Sequence, residues 1–293
     1  MKHASLFSGI GGFDLAAEWM GWKNVFHCEL NPICQTILKY YWPHAQTYQN
    51  IKTTDFSIWR GRVDVLTGGF PCQPYSTAGL RMGKDDERHL WPFMLAAIRQ
   101  IAPTFIVGEN VGGLLSWDEG MVFDEVCADL ENEGYEVETY LIPACAIGAP
   151  HQRDRIWFIA YSESNKNNRY GQIRLYSKLA GASCQRIAPY PNRKHVEGCR
   201  KEGDNNQERN DQRRWKGNEF TTNVLNFWQN FPSEHPVCRG NDGLSERLDA
   251  ITFSKWRAES LKAYGNAVVP QLVYEIFKAI ENFQKKDDKN IIE

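Results

Sequence analysis

Short apolar runs alternate with amphipathic stretches along the first 161 residues of the chain. The amphipathic stretches repeat apolar positions at intervals of three and four, and they predict helices at 14–20, 32–41, 91–100 and 123–133. The apolar runs predict strands near Leu6 and at 25–29, 63–66, 105–107, 135–142 and 156–161. This alternation predicts a doubly wound, Rossmann-like α/β domain with functional sites at the ends of its strands.

The apolar pattern weakens after residue 161 and returns near the C-terminus. We expect residues 254–282 to form a strand, a turn and a helix that complete the large domain. The predicted organisation is therefore one α/β domain of residues 1–161 and 252–293, interrupted by a smaller lobe of residues 162–251. Within that lobe, residues 162–219 carry few large apolar side chains, which predicts weak packing.

A glycine-rich turn lies between the first predicted strand and the first predicted helix. Gly9, Gly11 and Gly12 would let a ligand approach the backbone and the helix N-terminus closely, although many such turns bind no ligand. Glu29 ends the next strand, where an acid usually binds the ribose hydroxyls of a nucleoside. The glycine spacing differs from the dinucleotide fingerprint, and no P-loop lysine follows. The pattern indicates an adenosine cofactor without a pyrophosphate.

A cysteine follows the strand predicted at 63–66. Gly68 and Gly69 are expected to form a sharp turn, and two prolines, Pro71 and Pro74, would stiffen the loop that presents Cys72 at the mouth of the sheet. A thiol held in this way is a candidate nucleophile. The alternative is a buried, inert cysteine, which is the usual state of a free thiol.

An acid and two arginines occupy other predicted strand ends. Glu109 closes the strand at 105–107, and Arg153 and Arg155 come just before the strand at 156–161. A spacing of two places both arginines on one side of an extended segment. Each feature alone would be read as a solvated strand end or a surface ion pair. With Cys72 in the same sheet, they indicate a catalytic site.

These segments together resemble the cytosine-C5 DNA methyltransferases of bacteria and phages. The matching motifs, in the family's order, are Phe-Ser-Gly-Ile-Gly-Gly-Phe at 7–13, Gly-Phe-Pro-Cys-Gln-Pro at 69–74, Glu-Asn-Val at 109–111, Gln-Arg-Asp-Arg at 152–155 and Gly-Asn-Ala-Val at 265–268. The resemblance implies an S-adenosylmethionine-dependent enzyme. It says little about the middle of the chain, where members of the family diverge.

The resemblance also implies how the catalytic residues act. Cys72 would add to C6 of cytosine and make C5 nucleophilic, while Glu109 contacts N3 and Arg155 contacts O2. Arg153 would support Cys72 and the ring. The sequence does not identify the base that removes the C5 proton, and water can serve.

Residues for S-adenosylmethionine carry over from the same motifs. Phe7 would stack on the adenine, Glu29 would hold the ribose, and Asn50 stands where the family usually has an aspartate. The expected cofactor residues are Phe7, Gly9, Gly11, Gly12, Glu29, Asn50, Ile51, Phe70, Pro71, Trp91, Asn266 and Val268.

A cytosine inside a duplex cannot be reached by a thiol, so the base must leave the stack. We expect the loop at 76–88 to close over it, with an ordinary mobile surface loop as the alternative. Residues 239–247 are the candidate for reading base edges, although Arg239 could equally contact a phosphate. The expected DNA-binding residues are Gln73, Ser76, Arg81, Lys84, Arg88, Arg239 and Asn241.

The formal net charge is −2, which alone gives no sign of nucleic-acid binding. Its distribution is uneven, because residues 166–216 contain 13 basic and five acidic side chains while the rest of the chain is acidic. This basic block fits a phosphate-binding surface, and the alternative is a solvated insertion.

Eight cysteines without a Cys-x-x-Cys pair or a secretory segment favour the reducing cytoplasm of a bacterial or phage-infected cell. Apolar runs are all shorter than a membrane span, and Cys184, His195, Cys199 and Cys238 match no standard zinc spacing, so we expect no membrane and no metal. We also expect a monomer.

Three functions remain open at this point. The leading one is methylation of duplex DNA, beside a separately acting restriction endonuclease or alone on a mobile element. The second is methylation of tRNA by the same core. The third is DNA binding without catalysis, against which the presence of Cys72, Glu109 and Arg155 argues.

Overall fold

A computed structural model describes residues 1–71, 90–149, 151–162, 185–187 and 253–290. Its centre is an eight-stranded sheet in the order β3-β2-β1-β4-β5-β7-β6-β8. The strands are β1 (Lys2–Leu6), β2 (Lys23–Cys28), β3 (Gln46–Tyr48), β4 (Val65–Gly68), β5 (Phe105–Val111), β6 (Tyr135–Pro143), β7 (Asp154–Ser162) and β8 (Gln185–Ile187). The helices are α1 (Gly12–Trp19), α2 (Pro32–Tyr41), α3 (Trp91–Ile101), α4 (Met121–Asn132), α5 (Phe253–Asn266) and α6 (Pro270–Asn290).

Helices cover both faces of this sheet because its central strands are apolar on both sides. Val65 and Phe105 pack with α1 and α6, whereas the neighbouring residues Leu66 and Ile106 pack with α3 and α4. Successive side chains of a strand point to opposite faces, so one continuous apolar run supplies two cores. The predicted doubly wound, Rossmann-like fold is confirmed.

One half of the sheet is parallel and the other is not. Strands β3, β2, β1, β4 and β5 run in the same direction, but β7 is antiparallel to both β5 and β6. In the β5–β7 register, Val111 lies opposite Arg155 and Glu109 lies opposite Trp157. The carboxyl end of β5 therefore lies beside the beginning of β7. Arg155, near the start of β7, thus lies at the same edge of the sheet as Glu109.

Two short strands escaped the sequence analysis. β3 and β8 have three residues each, too few for an alternating pattern to be recognised. β8 pairs with β6 at the edge of the sheet, so three residues of the predicted lobe extend the main sheet. The remainder of residues 163–252 lies outside the described part of the chain.

The expected strand at the start of segment 254–282 is wrong, because α5 occupies residues Phe253–Asn266. Ala258, Leu261, Lys262 and Ala263 are strong helix formers, and their local preference decides the structure here. Within the described residues, no helix is both long and apolar enough to cross a membrane.

Candidate active site

The glycine-rich turn is tied to the next strand by a carboxylate. One oxygen of Glu29 accepts from the Gly9 amide at 2.7 Å, and the other accepts from the Asn31 amide at 2.8 Å. Asn31 is also the N-cap of α2, since its side chain accepts from the amide of Ile33 at 2.9 Å. Each carboxylate oxygen keeps a free lone pair, so Glu29 can still accept from a ribose hydroxyl.

The three glycines of this turn meet different demands. Gly11 has a φ of +85°, and a β carbon there would lie 2.3 Å from the Trp42 ring. A β carbon at Gly12 would lie 2.7 Å from Cγ2 of Val268. Gly9 also has a positive φ, but its side faces open space. Gly11 and Gly12 therefore let Trp42 and Val268 pack closely against the turn, and Gly9 leaves open space beside it.

Phe7, expected to stack on adenine, has a left-handed backbone with φ +51°. For a residue other than glycine, this conformation costs about 1–3 kcal/mol, and such residues cluster at functional sites. Its half-buried ring packs against the same core cluster as Ile51. Beside Ile51, the side-chain oxygen of Asn50 accepts from the Lys52 amide at 2.9 Å, so this oxygen is already engaged.

A buried polar cluster supports the turn from below, and the sequence analysis missed it. Asp14 of α1 is fully buried, and both of its carboxylate oxygens accept from the Ser5 hydroxyl at 3.0 Å. Ser5 also pairs with Ser8 at 2.7 Å, directly before Gly9. The sequence showed only that Asp14 is an acidic residue in the first turn of a helix. Such residues are too common for this position to predict a buried cluster.

The structure describes the segment leading to Cys72 as far as Pro71. β4 continues through Gly68, and Gly69 and Phe70 lie in neither a turn nor a bend, so the sharp turn expected from these glycines is wrong. They are needed for space instead: a β carbon at Gly68 would lie 2.9 Å from Cε of Met94, and one at Gly69 would lie 3.2 Å from Oε2 of Glu109.

Phe70 anchors this segment in the core. Its ring packs against Trp91, at 5.1 Å between centroids, and against Phe158 at 6.1 Å. The indole nitrogen of Trp91 donates to Asp129 at 2.8 Å. The Asn110 side chain donates to the backbone oxygen of Phe70 at 3.2 Å. Asn110 therefore connects β5 to the residues before Cys72, a role that its place in the Glu-Asn-Val motif did not reveal.

Glu109 and Arg155 form an ion pair at the edge shared by β5 and β7. Nε of Arg155 lies 2.8 Å from Oε1 of Glu109, and Glu109 is only 8% exposed. Burial raises the pKa of Glu109 above its usual range, and the two nearby arginines offset only part of this effect. A carboxyl group with a raised pKa can donate a hydrogen bond while an arginine holds it in place.

Arg153 is oriented differently from Arg155. One terminal nitrogen donates to the backbone oxygens of Gly265 at 2.9 Å and Ala267 at 2.8 Å. These acceptors flank Asn266, at the turn between α5 and α6 that also brings Val268 against Gly12. The structure thus gathers Gly12, Val268 and Arg153 on one side of the site.

The described cysteines contrast with the expected nucleophile. Cys28, Cys34 and Cys127 are buried, and burial raises the thiol pKa to about 12 at Cys28 and to about 11 at Cys34. Thiols of this kind stay protonated and are poor nucleophiles. Cys145 is exposed. The buried cysteines therefore serve packing.

Several expected residues lie outside the described part of the chain. They are Cys72, Gln73, Ser76, Arg81, Lys84, Arg88, Arg239 and Asn241. The four residues considered for zinc, at 184, 195, 199 and 238, also lie outside it. Within the described ranges, no group of three or more histidine, cysteine or acidic side chains could hold a metal ion.

Leu30 is a candidate that the sequence analysis did not include. It follows Glu29 directly and is 70% exposed, although it is a large apolar residue. An exposed leucine beside the expected ribose site would suit contact with a flat base. In the sequence, its position directly after Glu29 at the end of a strand could have indicated this role.

Comparison with curated proteins identifies related enzymes. The type II methyltransferase M.PspPI of Psychrobacter sp. (strain TA137) is 35% identical over 178 residues, which cover 60% of this chain and 40% of that protein. M.Eco47II of Escherichia coli is 34% identical over 158 residues, covering 53% and 38%. The chain therefore spans less than half the length of these relatives.

The chain is also similar to a solved structure and to a family model. DNMT2 of Spodoptera frugiperda superposes with a TM-score of 0.48 at 21% identity, over 58% of this chain and 52% of that one. The sequence model described as C-5 cytosine-specific DNA methylase matches residues 1–246, most of the chain. On this match, the chain belongs to the C-5 cytosine-specific DNA methylase family.

Proposed function

We propose that this protein transfers a methyl group from S-adenosylmethionine to C5 of cytosine in duplex DNA. The observation that carries the proposal is the buried Glu109–Arg155 pair, with Oε2 of Glu109 beside Gly69. Gly69 lies three residues before Cys72 in the chain. An acid, a cation and a thiol near one point are what the addition to cytosine requires.

The described residues fit the proposed cofactor. Glu29 is a fixed hydrogen-bond acceptor beside the turn, and Gly9 faces open space on the side where a ligand would lie. Phe7 offers an aromatic ring from a strained backbone position. When bound there, S-adenosylmethionine would supply an electrophilic methyl group on its sulfonium.

The proposed chemistry assigns one task to each side chain. The Cys72 thiolate adds to C6, while protonated Glu109 donates to N3 and Arg155 donates to O2. C5 would then bond to the methyl carbon as the carbon–sulfur bond of the sulfonium breaks, and S-adenosylhomocysteine would leave with that bond's electron pair on sulfur. A base, for which water suffices, removes the C5 proton, and the thiolate leaves as the C5–C6 double bond re-forms.

Transfer of a radiolabelled methyl group tests this proposal directly. Purified protein with labelled S-adenosylmethionine should label duplex DNA, and unlabelled tRNA should stay unlabelled. A duplex containing 5-fluorocytosine should become covalently trapped in the presence of the methyl donor, because the fluorine at C5 cannot leave as a proton does. Label only in tRNA, or no trapped complex, would contradict the proposal.

A pH profile tests the role of Glu109. Because its pKa is raised, Glu109 should stay protonated above the ordinary glutamate range, and the rate should fall as pH rises through its pKa. Glu109→Gln carries a permanent donor, so it should lose this alkaline decline and run about 10²-fold slower. Single-turnover methylation, measured from acidic to alkaline pH, gives both quantities.

The matched control is Glu133→Gln. Glu133 pairs with Arg99, at 2.6 Å, away from the site, and this change should leave the profile unaltered. An alkaline decline that persists in Glu109→Gln would assign the titration to another group.

The biological setting is proposed from the relatives. M.PspPI and M.Eco47II are named type II methyltransferases, which supports a restriction-modification role for this chain as well. A cognate endonuclease that acts separately, and a monomeric enzyme, complete the proposal. Bisulfite sequencing of DNA from cells that express the protein would report the methylated sequence.

A further inference from the structure

Arg153 makes contacts that its expected role near Cys72 does not explain. Its guanidinium donates to the backbone oxygens of Gly265 and Ala267, more than a hundred residues away in sequence. Its backbone has a φ of +40°, which is unfavourable for a residue with a side chain. The strand that follows Arg153 explains neither this backbone strain nor the two long-range hydrogen bonds.

The two acceptors lie at the C-terminus of α5. The last four carbonyls of a helix lack partners within it, and this end carries partial negative charge. Arg153 provides both a donor and a positive charge at that point. It therefore acts as a C-terminal cap for α5, supplied from β7's side of the site.

The capped turn is also the wall of the expected cofactor site. Val268 follows Ala267 and fills the space next to Gly12, where even a β carbon would be too close. At the other side of α5, Glu259 accepts from the Asn31 side chain at 3.0 Å, beside Glu29. The position of α5 thus depends on contacts with both the N-cap of α2, beside Glu29, and the arginine motif.

We propose that Arg153 is a positioning residue for S-adenosylmethionine. It acts on cofactor binding indirectly, because it holds the turn at 265–268 against the glycine-rich turn. Arg155, two residues further, instead pairs with Glu109, which the proposed function assigns to the base. Neighbouring arginines of one motif thus serve the two substrates separately. This inference rests on the proposed function, and it replaces the expected role of Arg153 beside the cytosine ring.

The test compares cofactor affinity with the rate of methyl transfer. Arg153→Gly removes the side chain and relaxes the left-handed backbone, so the fold should be retained. We expect its dissociation constant for S-adenosylhomocysteine, measured by calorimetry without DNA, to rise at least about tenfold, which corresponds to about 1.4 kcal/mol. At saturating S-adenosylmethionine, kcat should fall less than threefold. Arg153→Lys keeps a donor and the charge, and it should recover part of the affinity.

Arg99→Ala is the control, because it also removes an arginine that makes a side-chain hydrogen bond, here to Glu133, but lies away from the site. Unchanged affinity in Arg153→Gly, or a large loss of kcat at saturating cofactor, would overturn the inference. The proposed function has its own criterion, since its failure would appear in the wild-type protein as absent methylation. If Arg153→Gly does not fold, Arg153→Lys is measured in the same way, and wild-type affinity with reduced kcat again overturns the inference.

Discussion

Replacing Cys72 by serine should abolish methyl transfer while leaving DNA binding intact. A serine hydroxyl is not ionised near neutral pH and is a much weaker nucleophile than a thiolate, so C6 of the cytosine would not be attacked. Loss of a covalent nucleophile typically lowers the rate by several orders of magnitude, and we expect a decrease of about 10³-fold or more.

Single-turnover methylation and a gel-shift assay on the same duplex would measure the two properties. Cys145→Ser is the matched control, because Cys145 is an exposed free cysteine with no assigned role, and it should keep wild-type activity. Methylation by Cys72→Ser at the wild-type rate would disprove the covalent mechanism. Loss of DNA binding in the same variant would instead point to a structural role.

Replacing Gly11 by alanine should destabilise the glycine-rich turn strongly. The new β carbon would have to accept a φ of +85° and a distance of 2.3 Å from the Trp42 ring. Backbone strain and overpacking each cost about 1–3 kcal/mol, so the free energy of unfolding should fall by about 2–6 kcal/mol. Urea denaturation measures this loss, and binding of S-adenosylhomocysteine should weaken with it.

Gly21→Ala separates the two contributions. Gly21 also has a positive φ, +71°, but a β carbon there meets nothing within 4 Å. Only the backbone strain applies, and we expect a loss of about 1–2 kcal/mol. Equal losses in the two variants would show that Trp42 moves aside easily and that packing behind the turn is not what requires glycine.

Much of the fold was predictable because its local signals agree with its tertiary structure. Pro32, at the first position of α2, marks a helix start that the structure reproduces at the same residue. The apolar runs of β4 and β5 were visible because both faces of these strands are buried. In segment 254–282 only the strand expected at the start is wrong, because α5 occupies those residues, whereas the expected helix is present as α6.

The site was predictable only in part. Motif positions identified Glu109 and Arg155, which the structure brings into contact through strands that are distant in sequence. The roles of Asn110, Asp14 and Arg153 depend on partners that only the folded chain brings near. Asn110 and Arg153 donate to backbone oxygens, which leave no trace in the partner's residue type, so sequence motifs cannot reveal these bonds.

The β5–β7 register has a consequence for how this site tolerates change. Glu109 and Arg155 share a face because Val111 lies opposite Arg155, and alternate residues of a strand point the same way. Adding residues between Pro143 and Asp154 lengthens a connection and leaves the pair in place. Adding one residue within β7 would send the guanidinium to the opposite side of the sheet. The proposed chemistry thus depends on which face of β7 carries Arg155, and it depends little on the length of the loop before that strand.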